Sequence, residues 1–205
     1  MDRFVDWFGL NHLQLNVTKT KELVVDFRKR RTRSNPFSIN GTEVDIVDEY
    51  KYLGVHIDNK QEWSKNAEVV FTKGHSRLYF LRRLRSFNVC RTMLQMFYHS
   101  QVSSIIFYAV VCWDSRLKAA DPNRLNKLVW KAGSVLGVEH ESSVEVSEKR
   151  MLRKLLSTMD NTSHPLHTTL EYYRSTFSSR LRPPRSTTER HRRSFLPVAI
   201  KLYNS

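Results

Sequence analysis

Cysteine is nearly absent from this chain of 205 residues, which carries only Cys90 and Cys112. Neither has a second cysteine two to four residues away, so no disulfide framework and no Cys/His zinc pattern can be built from them. They read as reduced, mostly buried thiols of an intracellular protein, nuclear or cytoplasmic. Long apolar runs are missing as well. The longest, VSSIIFYAVVCW over residues 102–113, falls short of the ~20 residues a membrane span needs and reads as a core helix. The acidic, aromatic start does not resemble a secretory leader. Glycine is scarce at six, and no glycine-rich loop joins a strand to a helix. A methyl-transfer cofactor that needs close backbone approach therefore has no evident seat. No two aspartates are adjacent, and no G-x-S-x-G elbow occurs. Acids are also in deficit, 20 against 34 lysines and arginines, for a net charge of +14. That surplus favours anionic partners, nucleic acid ahead of acidic membrane, with a plain solvated basic surface as the competing reading.

What is present suffices for a packed core. Hydrophobic residues make up 40% and aromatics 11% of the chain, which suits one domain or two small ones. Periodicity predicts a first helix over residues 2–11 with Phe4, Val5 and Phe8 on one face and Asn11 ending it. ELVVDF reads as a buried strand, and RKRRTR (28–33) as a basic loop. Asn40-Gly41, between FSI and TEVDIV, is a two-residue hairpin signal. YKYLGVHI reads as a further strand. From Gln61 the pattern turns helical. Trp63, Ala67, Val70, Phe71, Leu78 and Leu81 form a stripe to about Ser86, with Gly74 as a weak point. A second helix is expected from Arg91 to about Arg116. A third is capped by Asp121, with Pro122 in its first turn, and stopped by Gly137. Two more helices follow, then an extended Arg- and Pro-rich tail closed by a short apolar element. The expected fold class is α+β, mostly α: a small antiparallel sheet at the N-terminus (1–60), a helical bundle (61–176) and a basic tail (177–205).

Two resemblances attach to particular residues. LQLNVTKTK, with Leu13, Leu15, Asn16, Lys19, Thr20 and Lys21, is followed by Tyr52-Leu53-Gly54-Val55 and then by RLYFLRRLRSF and RRSFLPVAIKLYN. In that order these resemble the late palm and thumb of the reverse transcriptases of non-LTR, LINE-type retrotransposons, across nearly the whole chain. The resemblance implies that the metal-binding aspartates lie upstream, in a Y/F-A-D-D motif. Phosphoryl transfer needs two carboxylates holding two Mg²⁺ ions about 4 Å apart, so it carries over position and not activity. Residues 69–113 also resemble the segment named after the N-terminal domain of AlkB homologue 8. That name implies a 2-oxoglutarate and iron oxygenase coupled to a methyltransferase acting on tRNA.

The remaining chemistry is weighed against its simplest alternative. His56-Ile57-Asp58 has the H-x-D spacing of a facial iron triad, but strand alternation places both polar residues at a solvated strand end. His164 and His167 are three apart, and Pro165 makes a helix-capping role the better reading of His164. The aromatics Trp63, Tyr79, Phe80, Phe97, Tyr98, Phe107, Tyr108, Trp113 and Trp130 fall at helical spacing and read as core. The expected nucleic-acid contacts are Lys19, Lys21, Arg28, Lys29, Arg30, Arg31 and Arg33, with Arg182, Arg185, Arg190, Arg192 and Arg193 in the tail. Guanidinium forks suit phosphate oxygens and carry no sequence information. The expectation is a chain with no catalytic residues, metal or cofactor that binds RNA or an RNA–DNA hybrid non-specifically.

Overall fold

The computed structural model describes residues 2–28, 35–39, 41–117 and 120–205. The chain divides into two compact units, residues 1–66 and 67–205. Helix dominates and the strands are short, an α+β fold that is mostly α.

In the first unit, helix α1 (Asp2–Leu10) packs Phe8 edge-on against Phe4 and Trp7. The left-handed residue that ends it is His12, at φ 55°, and not Asn11. Asn11 instead donates its side-chain amide to the Trp7 carbonyl at 2.8 Å, satisfying one of the helix's terminal acceptors. Asn16 then caps a 3-10 turn, Val17–Lys19, by accepting from the Lys19 N–H. The strands form separate two-stranded ladders rather than one sheet. Strand β1 (Lys21–Glu22) runs parallel to β4 (Asp45–Ile46), and β2 (Ser38–Ile39) antiparallel to β3 (Thr42–Glu43). Strand β5 (Glu49–Tyr52) runs antiparallel to β6 (Val55–Asp58).

Ile39 pairs with Thr42, which makes the expected two-residue turn, and Gly41 has φ 76°. Asn40 lies outside the described residues. Two expectations fail here. ELVVDF is no buried strand: only its first residue belongs to β1, and Val25 and Phe27 are exposed. An apolar run becomes a buried strand only where other strands or helices cover it, and this run contributes only Glu22 to a ladder. YKYLGVHI is not one strand but two, turned at Leu53-Gly54, both at positive φ (46° and 87°). This is the geometry of a type I′ hairpin turn, which leucine adopts only at a cost in backbone strain.

The second unit is a helical bundle. Helix α2 (Ser64–Ser86) buries Ala67, Val70, Leu78 and Leu81. Gly74 is no weak point on that stripe. A Cβ there would lie 3.0 Å from Leu128 and 3.4 Å from Ile106, so the missing side chain lets the α2 backbone sit against its neighbours. The helix expected over 91–116 is broken. Helix α3 (Arg91–Phe97) runs into a π-helical turn, Tyr98–Ser103, and one turn of helix α4 (Ser104–Ile106). Ala109 then turns left-handed at φ 49° before α5 (Val110–Trp113) and a 3-10 turn, Asp114–Arg116. Leu94, Tyr98, Val102, Ile106 and Val110, four residues apart, are all buried. At 3.6 residues per turn, each four-residue step slips about 40° around an α-helix. The wider π turn absorbs that slip and keeps the row facing one core.

Helix α6 (Ala120–Leu136) starts one residue before Asp121, which therefore sits in the first turn, paired with Arg124 at 3.6 Å. It ends at Gly137, with the Val138 N–H bonded to the Gly133 carbonyl as in a Schellman cap. Helix α7 (Ser143–Asp160) opens on a complete capping box, Ser142 with Glu145. The Arg- and Pro-rich part of the tail is not extended throughout, since it holds a turn of helix at Glu189–Arg192, and the expected apolar element at its end is helical. After helix α8 (His167–Tyr173) come α9 (Glu189–Arg192) and α10 (Phe195–Asn204). Leu181, Ala199 and Ile200 share a core with Leu155 of α7 and Leu170 of α8. The Asn204 amide both donates to the Leu181 carbonyl (2.7 Å) and accepts from its N–H (3.0 Å).

So many short helical pieces leave many terminal carbonyls, and arginines fill several of them. Arg150 donates to the Phe107 carbonyl (2.7 Å), Arg91 to Gly137 (2.9 Å) and Arg182 to Tyr172 (2.9 Å). Arg193 donates to both Ser115 (2.8 Å) and Leu117 (2.7 Å). At the Ala109 break the Tyr108 carbonyl accepts from the Trp113 indole at 2.9 Å. Each bond meets an acceptor that a helix end would otherwise leave open. Replacing Gly74 with valine is expected to destabilise the chain by about 1–3 kcal/mol, the usual penalty of overpacking. A urea-unfolding midpoint measured against the parent chain checks this.

Candidate nucleic-acid interface

Of the expected basic contacts, Lys29, Arg30, Arg31 and Arg33 lie outside the described residues. In the first unit Lys19 is exposed on the 3-10 turn, while Lys21 pairs with Asp45. Arg28 makes a two-pronged pair with Asp26, at 3.0 and 2.8 Å, which raises its already high pKa. In the second unit Arg182 and Arg193 hold the carbonyls described above, and Arg192 pairs with Glu189 at 3.2 Å. Arg185 is exposed. Arg190 lies close enough to Arg116 that the two like charges help lower the Arg116 pKa, burial being the larger cause. Of the tail arginines, Arg182 and Arg193 are thus engaged by backbone carbonyls and Arg192 by a carboxylate.

A different surface gathers the chemistry. The aromatics expected in the core divide in two. Trp63, Tyr98, Phe107 and Trp113 are buried and Phe97 is half-buried, but Tyr79 (57% exposed), Phe80 (46%), Tyr108 (51%) and Trp130 (74%) face solvent. Tyr79 and Phe80 sit on the C-terminal half of α2, their rings edge-on at 5.6 Å. With Arg77, Arg83, Phe87 and Phe97 they line an open groove of about 520 Å³, floored by Leu84 and reaching Gln101. The Arg83 guanidinium lies over the Phe87 ring at 5.0 Å. The Arg77 Nε is buried without a hydrogen-bond partner. Arg82 and Arg85 are exposed on the same helix end. Exposed π-faces flanked by guanidinium groups are what single-stranded bases and their phosphates need. Sequence reasoning missed this groove because it assigned every helical aromatic to the core. The signal was there: Phe80, Arg83, Leu84 and Phe87 repeat at three, four and seven. That is a second stripe, roughly a third of a turn from the buried one at 3.6 residues per turn.

The facial iron site does not form. The Asp58 carboxylate accepts the backbone N–H groups of Lys60 (2.9 Å), Glu62 (3.1 Å) and Trp63 (3.2 Å), which close the turn into α2. It stands at the end of β6, half-buried. Among the described residues no three His, Cys, Asp or Glu side chains gather as metal ligands would. The residues present therefore do not fit an iron centre. His164 accepts the Leu166 N–H on Nδ1 at 3.1 Å, in the turn that precedes α8, whose N-cap Leu166 makes no side-chain cap bond. Cys90 and Cys112 are exposed, contrary to expectation. No helix among the described residues is long and apolar enough to cross a membrane.

Comparison with known proteins gives one family match. The family described as "Alkylated DNA repair protein alkB homolog 8, N-terminal" matches residues 63–104. That stretch holds every residue lining the groove. No curated protein and no solved structure matches the chain. The AlkB-homologue-8-like segment is therefore supported, and the retrotransposon resemblance rests on the residue motifs alone.

One imidazole in this unit sets a pH dependence. His140 stacks on the Tyr98 ring, centroids 4.1 Å apart at 19°, and burial together with nearby His99 holds its pKa below the ordinary 6.5. The unfolded chain then binds a proton there more readily than the folded one. This contribution to stability is complete above the unfolded value and declines as pH falls through about 6.5 toward the folded one. His140→Gln should flatten that acid-side decline, as read from unfolding midpoints across a pH series.

Proposed function

We propose that this chain is a nucleic-acid-binding module, without catalysis of its own, that holds RNA or an RNA–DNA hybrid with little sequence preference. The observation that carries the reading is the groove at the end of α2, where exposed Tyr79, Phe80 and Phe87 stand among Arg77 and Arg83. The charge of +14 supports it, since cationic surfaces gather polyanions before any specific contact forms.

Two lineages would supply such a module. One is an accessory segment of AlkB-homologue-8 type, associated with oxygenase or methyltransferase chemistry on tRNA or DNA. The family match at residues 63–104 favours it. The other is the late palm and thumb of a LINE-type reverse transcriptase without its catalytic half, supported by the ordered motifs from Leu13 to Asn204. Both place a helical, RNA-facing piece beside chemistry performed elsewhere.

Filter binding of the full chain to single-stranded RNA and to a hybrid tests the shared reading. Phe80→Ala should weaken binding by about 1–3 kcal/mol if a base stacks there. Combined Arg82→Gln, Arg83→Gln and Arg85→Gln should weaken it evenly across sequences and shrink the salt dependence by about 0.7 per lost contact. Arg28→Glu should matter less than Arg83→Glu, because Asp26 already engages Arg28. No retention at physiological salt would sink the proposal. Metal analysis separates the catalytic alternative: stoichiometric iron, lost on His56→Ala, would overturn a non-catalytic module.

A further inference from the structure

A second cavity, of about 280 Å³, opens where the π turn meets α7. Tyr98, His99 and Ser103 come from the π turn, and Lys149, Arg150 and Arg153 from α7. His140 and Glu141, in the loop between α6 and α7, complete its polar wall. The π turn is what presents His99 beside Tyr98 here, and such turns recur at functional sites in helices.

The charges converge unevenly. Among the described residues Glu141 is the one acid lining the cavity and pairs with Lys149, which leaves Arg150 and Arg153 as surplus positive charge. Arg150 is held in place by the Phe107 carbonyl and lies over the Phe107 ring at 5.4 Å, so its position is fixed before any ligand arrives. The His140 Nε2 is buried and has no hydrogen-bond partner. His99 stands 6.3 Å from His140, ring to ring. Glu139 and Glu145 line the adjoining cleft that His140 also borders.

We propose that this cavity binds a phosphomonoester, the terminal phosphate of a nucleotide or of an RNA strand, between Arg153, Arg150 and the His99/His140 pair. A planar guanidinium fork fixed by a carbonyl suits phosphate oxygens. An imidazole with an open nitrogen adds a donor once protonated. A bound phosphate stabilises the imidazolium, so binding tightens as pH falls and the His140 titration midpoint rises on saturation. Tyr98 stays a neutral stacking partner throughout, its pKa pushed up to about 12 by burial. The site stands apart from the α2 groove and does not rest on strand binding there.

Proton NMR of the histidine rings in the full chain, titrated with adenosine monophosphate and with inorganic phosphate, tests this. The His140 and His99 signals should move with both, and affinity should be higher near about pH 6 than near about pH 7.5. Arg153→Gln, an exposed position, should weaken binding at least about tenfold, as loss of a charge-assisted hydrogen bond does. His140→Gln should weaken the pH dependence. A 5′-phosphorylated RNA that outcompetes its 5′-hydroxyl counterpart identifies the strand terminus as the source; parity between the two, with adenosine monophosphate still binding, identifies the free nucleotide. Histidine signals that ignore phosphate, equal shifts with unphosphorylated adenosine, or unchanged binding in Arg153→Gln would each overturn the assignment.

Discussion

A row of buried side chains spaced four residues apart governs the larger unit. Leu94, Tyr98, Val102, Ile106 and Val110 must all face one core, and an unbroken α-helix cannot keep them in line. The chain resolves the conflict by widening to a π turn and then reversing at Ala109. Backbone regularity yields to burial because five apolar side chains, at roughly 1.5–3 kcal/mol each for full burial, outweigh a few displaced hydrogen bonds. The displaced carbonyls are then met by Arg150 and Trp113.

That compromise places both candidate surfaces. Phe97 and Gln101 face the aromatic groove, while their neighbours Tyr98 and His99 border the phosphate cavity. The groove is apolar and open, suited to stacked bases. The cavity is smaller and more polar, suited to a single charged group. One irregular segment thus borders both the groove and the cavity within a few residues.

Much of this was legible in the sequence. Helices α2 and α6 follow from a periodic apolar stripe, Pro122 and Gly137, all of them local signals. The Asn40-Gly41 turn is local too. Leu53-Gly54 was not legible, because leucine seldom sits in a left-handed turn and the flanking residues continue the strand pattern. The break in the 91–116 segment was written only as a spacing of four, which a search at 3.6 smooths over. The groove was hidden by the rule that helical aromatics are core. That rule holds for Trp113 and fails for Phe80, which lies on the wrong side of its helix. The tail's helices depend on a distant core, Leu155 and Leu170, that no local pattern in residues 177–205 reports.

The arginines that close helix ends change what the basic composition means. Arg91, Arg150, Arg182 and Arg193 spend donors on carbonyls inside the fold. Part of the positive charge thus also serves to close the short, interrupted pieces of the bundle. Charge and geometry are separable here. A chain with lysine at those four positions would keep the same long-range field and attract the same counter-charges. It would lose the planar forks that terminate its helices, and the bundle would loosen without any change in its net charge.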